Sequence, residues 1–191
     1  MNVLNTIYAI SLVVLPLSAC GGSSKSQSST NSPGNQMSAS VAGAPAWATG
    51  DCRKYFGEQA VICGVGTVSG VSSPSLARNA AMGRGRTEIA RYLQVRIKSI
   101  LTDYQAAKGG LTEQTIEDNS KQITDMTLSG TRMAEYWIAP DGTYYALMTL
   151  GLEEFKNSVQ QASGIQEPIR QAVLASAGKA FSVRDDETSR Y

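Results

Sequence analysis

The feature that most limits what this chain can fold into is a change of composition at Pro45. Residues 21–44 are dominated by Ser, Gly, Asn, Gln, Pro and Ala, with a single charge at Lys25. Such a stretch lacks the apolar surface needed to offset the entropy of ordering it. It reads as a flexible tether, and a coil of that length spans roughly 25–30 Å root-mean-square. Ahead of it, Ile7–Leu17 is a near-continuous apolar run of 11 residues, broken only by Ser11 and Pro16. A membrane-spanning helix needs about 20 residues, so the run has instead the length of a signal-peptide apolar region. Folding is thereby confined to residues 45–182, enough for one core and one α+β domain.

The apolar run ends in Leu17-Ser18-Ala19-Cys20, which resembles the bacterial lipobox. The residue types follow from the chemistry. Cys20 presents a thiol to a diacylglycerol donor at the membrane surface. Ser18 and Ala19 are small enough for a peptidase to cleave before Cys20, and the freed amine can be acylated in turn. Two or three chains give lasting attachment, because each buried CH₂ contributes about 0.8 kcal/mol and one chain alone holds weakly. The alternative is an ordinary secretory signal with an incidental cysteine. Gly21 follows Cys20. In bacterial lipoproteins an aspartate there often signals inner-membrane retention, so the resemblance implies the outer membrane, lipid-anchored and facing the periplasm. The expected organisation is a signal peptide over 1–19, a lipidated cysteine and linker over 20–44, the domain over 45–182, and a charged, frayed tail over 183–191.

The chain contains no histidine. That removes the commonest general base, the commonest metal ligand and every Ser-His or Cys-His nucleophile. A formal net charge of +1 argues against nucleic-acid binding, which relies on neutralising phosphates. Ser176-x-x-Lys179 matches a Ser-Lys nucleophile pattern without its companion motifs. Asp185-Asp186-Glu187 could touch a divalent cation but lies in the expected tail, and Glu117-Asp118 are sequential and diverge on a helix. No catalytic residue, metal site or cofactor is assigned. Cys52 and Cys63 form a disulfide or remain two free thiols. An oxidising compartment favours the bond, which would contribute on the order of 3 kcal/mol for so small a loop.

Ala60–Ser69 alternates and is β-branched, so it reads as a strand. Its Gly64 and Gly66 have the wrong spacing for a phosphate loop, and such glycines mark a bulge or a close backbone approach. Ser73-Pro74-Ser75 starts a long helix, with Ile89, Leu93, Ile97, Ile100, Leu101 and Tyr104 on one face. Gly83 and Gly85 imply either a bend or a closely packed neighbour, since glycine costs up to about 1 kcal/mol in a helix. The helix is basic, and Arg84, Arg91 and Lys98 recur every seven residues on one face. That stripe is either solvated or a contact for an acidic partner or anionic headgroups. Residues 112–126 are acidic, with a thin apolar line of Ile116, Ile123 and Met126. They form a short helix or ordered connection able to pair with the basic helix, within a subunit or between subunits.

Thr127–Ala139 and Thr143–Leu150 alternate around Pro140-Asp141-Gly142, which predicts a hairpin. Its Trp137, Tyr144 and Tyr145 either pack across strands or offer a ligand platform. Leu152–Ala162 reads as helical with Phe155 and Val159 inward. A last amphipathic helix starts at Glu167-Pro168, with Pro168 in the favoured first position. Its Ile165, Ile169, Val173, Ala177 and Phe181 dock on its own sheet or on a neighbour. The expected fold is a small antiparallel sheet of about three strands with the long helix and the C-terminal helix packed on it.

These pieces resemble a known family: the lipobox and tether, Pro45-x-Trp47, the strand with Gly64-Val65-Gly66, and the Ala/Arg-rich helix Ala77–Tyr92. The pair Tyr136-Trp137 and Tyr144-Tyr145 and the helix Pro168–Phe181 complete the match. The chain is similar over 45–182 to the LPP20-like family of bacterial outer-membrane lipoproteins. The resemblance implies a compact α+β domain without catalytic residues and, for FlgP-like members, self-assembly into rings at the outer membrane. The expected role is a non-enzymatic envelope lipoprotein that self-associates or scaffolds a complex. Its contacts would be the basic helix, the acidic segment and the C-terminal helix, with outer-membrane lipid held through Cys20. The alternative is a periplasmic binding module for a small envelope ligand using Trp137, Tyr144 and Tyr145.

Overall fold

The computed structural model describes residues 43–182; Leu17–Cys20, most of the tether and residues 183–191 lie outside the described residues. Two short helices, α1 (Ala46–Thr49) and α2 (Cys52–Phe56), precede strand β1 (Val61–Val68). Helices α3 (Pro74–Lys108) and α4 (Glu113–Thr127) and a 3₁₀ turn (Leu128–Gly130) follow. Strands β2 (Arg132–Ile138) and β3 (Tyr144–Gly151) and helices α5 (Leu152–Gln161) and α6 (Glu167–Phe181) complete the order. The class is α+β, with an antiparallel sheet in the order β1-β3-β2, so the last strand in sequence is central.

Alternation along the strands gives the sheet two distinct faces. One carries Ile62, Gly64, Gly66 and Val68 of β1 opposite Leu150, Met148, Ala146 and Tyr144 of β3. The other carries Cys63, Val65 and Thr67 opposite Thr149, Leu147 and Tyr145. Helix α3 covers the first face. Its buried stripe runs Ala77, Ala81, Gly85, Ile89, Leu93, Ile97, Ile100 and Leu101, small in the half that meets the glycines and large beyond. A side chain on Gly66 would collide with the Ala81 carbonyl, and one on Gly64 would come within 2.9 Å of the Glu88 Cβ. A Cβ on Gly85 would stand 2.6 Å from the Met148 Cγ. Helix and strand therefore meet almost backbone to backbone. Of the two sequence alternatives for Gly83 and Gly85, close packing holds for Gly85, while Gly83 faces open space and the helix runs through both.

The large half of the stripe joins a core with Ile116 and Ile123 of α4, Phe155 and Val159 of α5, and Ile169, Val173, Ala177 and Phe181 of α6. Phe155 and Phe181 pack at 5.4 Å between ring centroids. Each such side chain contributes about 1.5–3 kcal/mol by leaving water. The C-terminal helix thus docks on its own domain.

One expected boundary is displaced. Thr127–Gly130, read as the start of a strand, instead ends α4 and forms the 3₁₀ turn, and β2 begins at Arg132. Alternation there is imposed by hydroxyls that bond back to the helix. Thr127 Oγ1 donates to the Thr124 carbonyl at 2.9 Å and Thr131 Oγ1 to the Leu128 carbonyl at 2.7 Å. Such local bonds compete with strand pairing. The hairpin turn lies at Pro140-Asp141-Gly142, where Gly142 has φ 80° and the Thr143 N–H donates to Asp141 Oδ1 at 2.9 Å.

Candidate functional site

The second face of the sheet is crossed by α1 and α2, the part of the described domain closest in sequence to the tether. Trp47 is 1% exposed and donates its indole N–H to Glu135 Oε2 at 2.8 Å. Tyr55 donates its hydroxyl to the other oxygen of Glu135. Glu135 belongs to β2, one rim of the sheet, in register with Leu147. At the other rim Cys52, the first residue of α2, is disulfide-bonded to Cys63 of β1, with Cα atoms 6.1 Å apart. Helix α1 touches β3 and α2 touches β1. The two short helices thus form a strap fastened at both rims, and between the fastenings Leu147 and Thr149 are buried.

Asp51 organises the start of α2. Its Oδ1 accepts the Arg53 N–H at 3.0 Å as a helix cap. The same carboxylate chelates the Arg53 guanidinium at 3.0 and 3.1 Å. Burial pushes the Asp51 carboxyl up, but the hydrogen bonds and charge of Arg53, helped by Lys54, outweigh it and hold the group below its ordinary 3.8. Arg53 lies 5.9 Å from the Tyr92 ring centroid, with Arg96 at 5.1 Å. Between strap, β1, α3 and the end of α6 is a cleft of about 220 Å³ lined by the disulfide, Asp51, Arg53, Glu88, Tyr92 and Phe181.

The basic stripe is engaged within the chain. Arg84 donates to the Thr67 carbonyl of β1, and Arg91 pairs with Glu88 at 2.8 Å. Lys98 reaches Glu113 at 3.0 Å and Glu117 at 2.9 Å. The hydrogen bonds to Glu117 and Glu113 hold the Lys98 ammonium above its ordinary value, and the bond from Lys98 lowers the Glu117 carboxyl. At Lys98 the acidic segment and the basic helix therefore pair within one subunit.

The hairpin aromatics do not share a face. Trp137 and Tyr145 pack with ring centroids 5.1 Å apart and planes tilted by 47° on the strap side. Tyr144 is displaced by one residue and packs instead with Val68, Ala81 and Ala146 under α3. A one-residue step in a strand reverses the side chain, so the three nominated ligand contacts form no common platform. The exposed apolar groups of the hairpin are Tyr136, 54% exposed, and Ile138, 44% exposed, both on β2.

The sequence profile of the LPP20 lipoprotein family matches residues 45–151. The chain belongs to this family. The LPP20 match begins at the residue before α1 and ends with β3, so it takes in the strap, the sheet, α3 and α4. No curated protein sequence matches the chain. The family is described as LPP20 lipoprotein, which suggests association with the cell envelope. No described helix of this LPP20 domain is long and apolar enough to cross a membrane, and the described residues hold no cluster of three or more metal-ligating side chains. Ser176 is half-buried and Lys179 exposed on α6, with no hydrogen bond joining them among the described residues.

Nothing in the sequence singles out Glu135 or Arg53 as part of this site. A buried indole needs an acceptor, so Trp47 itself signals that some partner exists. Nothing local points to a carboxylate 88 positions away.

Proposed function

We propose that the protein is a non-enzymatic lipoprotein of the bacterial outer membrane, held by acyl chains on Cys20, whose domain self-associates or scaffolds an envelope assembly. One observation carries the reading. A lipobox-like Leu17–Cys20 and a polar spacer lead directly into a domain of the LPP20 lipoprotein family. The domain supports a structural role because its candidate polar groups are engaged in holding the fold rather than converging on a reacting centre. The sequence offers the basic stripe, the acidic segment and the C-terminal helix as partner contacts. Lys98 and α6 instead make contacts inside the domain, so the proposed contact moves to β2, where Tyr136 and Ile138 are exposed on an edge strand. Unpaired strand edges are ready templates for another chain.

Mass spectrometry of the membrane-extracted protein should find Cys20 as the N-terminal residue carrying acyl chains, and Cys20→Ser should release the protein from membranes. An unmodified thiol on a freely soluble chain would refute the anchor. Light scattering of the Cys20→Ser protein should show oligomers that Tyr136→Asp/Ile138→Lys dissociates. A monomer at every concentration, with no partner recovered by crosslinking in envelopes, would refute the assembly role.

A further inference from the structure

We propose that the Cys52–Cys63 bond is a redox latch: reduction frees α2 from β1 while Trp47 keeps α1 on the sheet, so the thiol–disulfide poise around the domain sets whether the β1 side of the outer sheet face is covered. The inference stands apart from acylation and self-association. Three observations lead there. The first is what holds each half of the strap. Helix α1 is seated by Trp47, which is 1% exposed. Helix α2 buries no residue. Its Tyr55 is 47% exposed, and Phe56 is half-buried with its ring edge-on to Tyr55 at 5.1 Å. Asp51 and Arg53 satisfy each other at the start of the helix. Among the described residues no hydrogen bond or ion pair joins α2 to β1, so the disulfide is the fastening at that rim. What remains after reduction is the Tyr55 hydroxyl on Glu135 and Arg53 beside the Tyr92 ring, both at partly exposed side chains. Contacts of that kind contribute little in competition with water.

The second is freedom to move. Helix α2 lies between two exposed glycines, Gly50 and Gly57, and Gly57 has φ 59°. Residues 57–60, which join the helix to β1, are all exposed. A short segment with few buried apolar contacts opens at well below the global free energy, and its release leaves α3 and the glycine seam in place. The third is access. Both cysteines are half-buried rather than sealed, and their bond lies on the wall of the cleft of about 220 Å³. A thiolate can therefore reach a sulfur, and exchange depends on that access. The reductant is a dithiol. One of its thiolates attacks a sulfur of the bond, forming a mixed disulfide and releasing the other cysteine as a thiolate. Its second thiol then attacks the mixed disulfide. The dithiol leaves as a disulfide with two electrons fewer, and Cys52 and Cys63 take up its two protons and become thiols. An oxidised dithiol runs the same steps backwards and refastens α2.

The experiment uses the full-length chain with Cys20→Ser, in which Cys52 and Cys63 are the only cysteines, and dithiothreitol as the dithiol. Hydrogen exchange is measured before reduction, after it, and after reoxidation with oxidised dithiothreitol. Reduction should speed exchange at 53–60 about tenfold or more, and reoxidation should restore the starting rate. The Trp47 indole should stay protected from collisional quenching by acrylamide, and the amides of the α3 stripe should keep their protection. The rate of reduction itself should stay flat as urea is raised below the unfolding transition, because attack proceeds from the folded domain. A rate that climbs in step with global unfolding would overturn the proposal, since the sulfurs would then be reached only in the unfolded chain. Unchanged exchange at 53–60 after reduction would overturn it too, by showing that α2 is held without the bond. So would exchange that rises throughout α3, or that stays fast once the bond has reformed.

Discussion

The two faces of the sheet bury the same central strand by different physics. Leu147 and Met148 are neighbours on β3, point in opposite directions and are both fully buried. Met148 lies under α3, where glycines bring a strand and a helix nearly into backbone contact and no side chain can be added. Leu147 lies under a strap of two short helices held by an indole, a carboxylate and a disulfide. Close-packed interiors tolerate little change of volume, whereas an element held at a few points opens locally at less than the global free energy. The glycine seam should therefore set whether the domain folds, and the strap should set what the outer face of the sheet shows to its surroundings.

The largest expected effect attacks the seam. Gly66→Val places a side chain where the Ala81 carbonyl already stands, and should cost about 3 kcal/mol or more. Urea unfolding should show a much lower midpoint, and near-wild-type stability would mean the seam is loose. Trp47→Ala should cost about 2–3 kcal/mol, less than a fully rigid core truncation, because the strap can detach while α3 stays on the sheet. Hydrogen exchange should accelerate around Leu147 and Thr149 and leave the α3 stripe protected. Uniform acceleration would make strap and seam one unit.

Cys52→Ser/Cys63→Ser should cost about 2–3 kcal/mol, the usual range for a short loop, again with exchange confined to the strap side. Gly83→Ala should act in the opposite sense. No atom crowds that position, so the helix gains up to about 1 kcal/mol and the melting temperature rises, in contrast to Gly85→Ala, which meets Met148 and should lower it. The smallest effect is on pH. The folded Asp51 carboxyl lies below its ordinary 3.8, so its contribution is full above that value and is lost as pH falls through the lower folded value. Strap opening, read by Trp47 fluorescence, should begin only in that acid range, and Asp51→Asn should remove the transition.

Much of this architecture is legible in the residues. The period of Ile89, Leu93, Ile97 and Leu101 announces the long buried helix, and Pro140-Asp141-Gly142 between alternating runs announces the hairpin. Gly64 and Gly66 in a β-branched run signal a close approach, though not its partner. Alternation sets the start of β2 too early, at Thr127 instead of Arg132, because it cannot tell strand side chains from hydroxyls that bond back at a helix end. Tyr144 and Tyr145 are adjacent in sequence and opposite in a sheet, so adjacency does not show which aromatics share a face. The seven-residue recurrence of Arg84, Arg91 and Lys98 does not give their partners: Arg84 meets a β1 carbonyl, Arg91 meets Glu88 on its own helix, and Lys98 meets Glu113 and Glu117 across Gly109-Gly110.

Local order was written in the chain itself, because period, turn residues and breakers act between positions a few residues apart. That extends to a leader-like apolar run, a polar spacer and one α+β domain with an amphipathic last helix. Tertiary structure alone decided that Glu135 receives Trp47, that Gly85 seats on β1 and Met148, and that Phe181 ends beside Cys52–Cys63. Those meetings depend on the relative placement of elements separated by tens of residues. That placement is settled by how volumes and buried polar groups are satisfied throughout the core, a condition no short stretch of sequence contains.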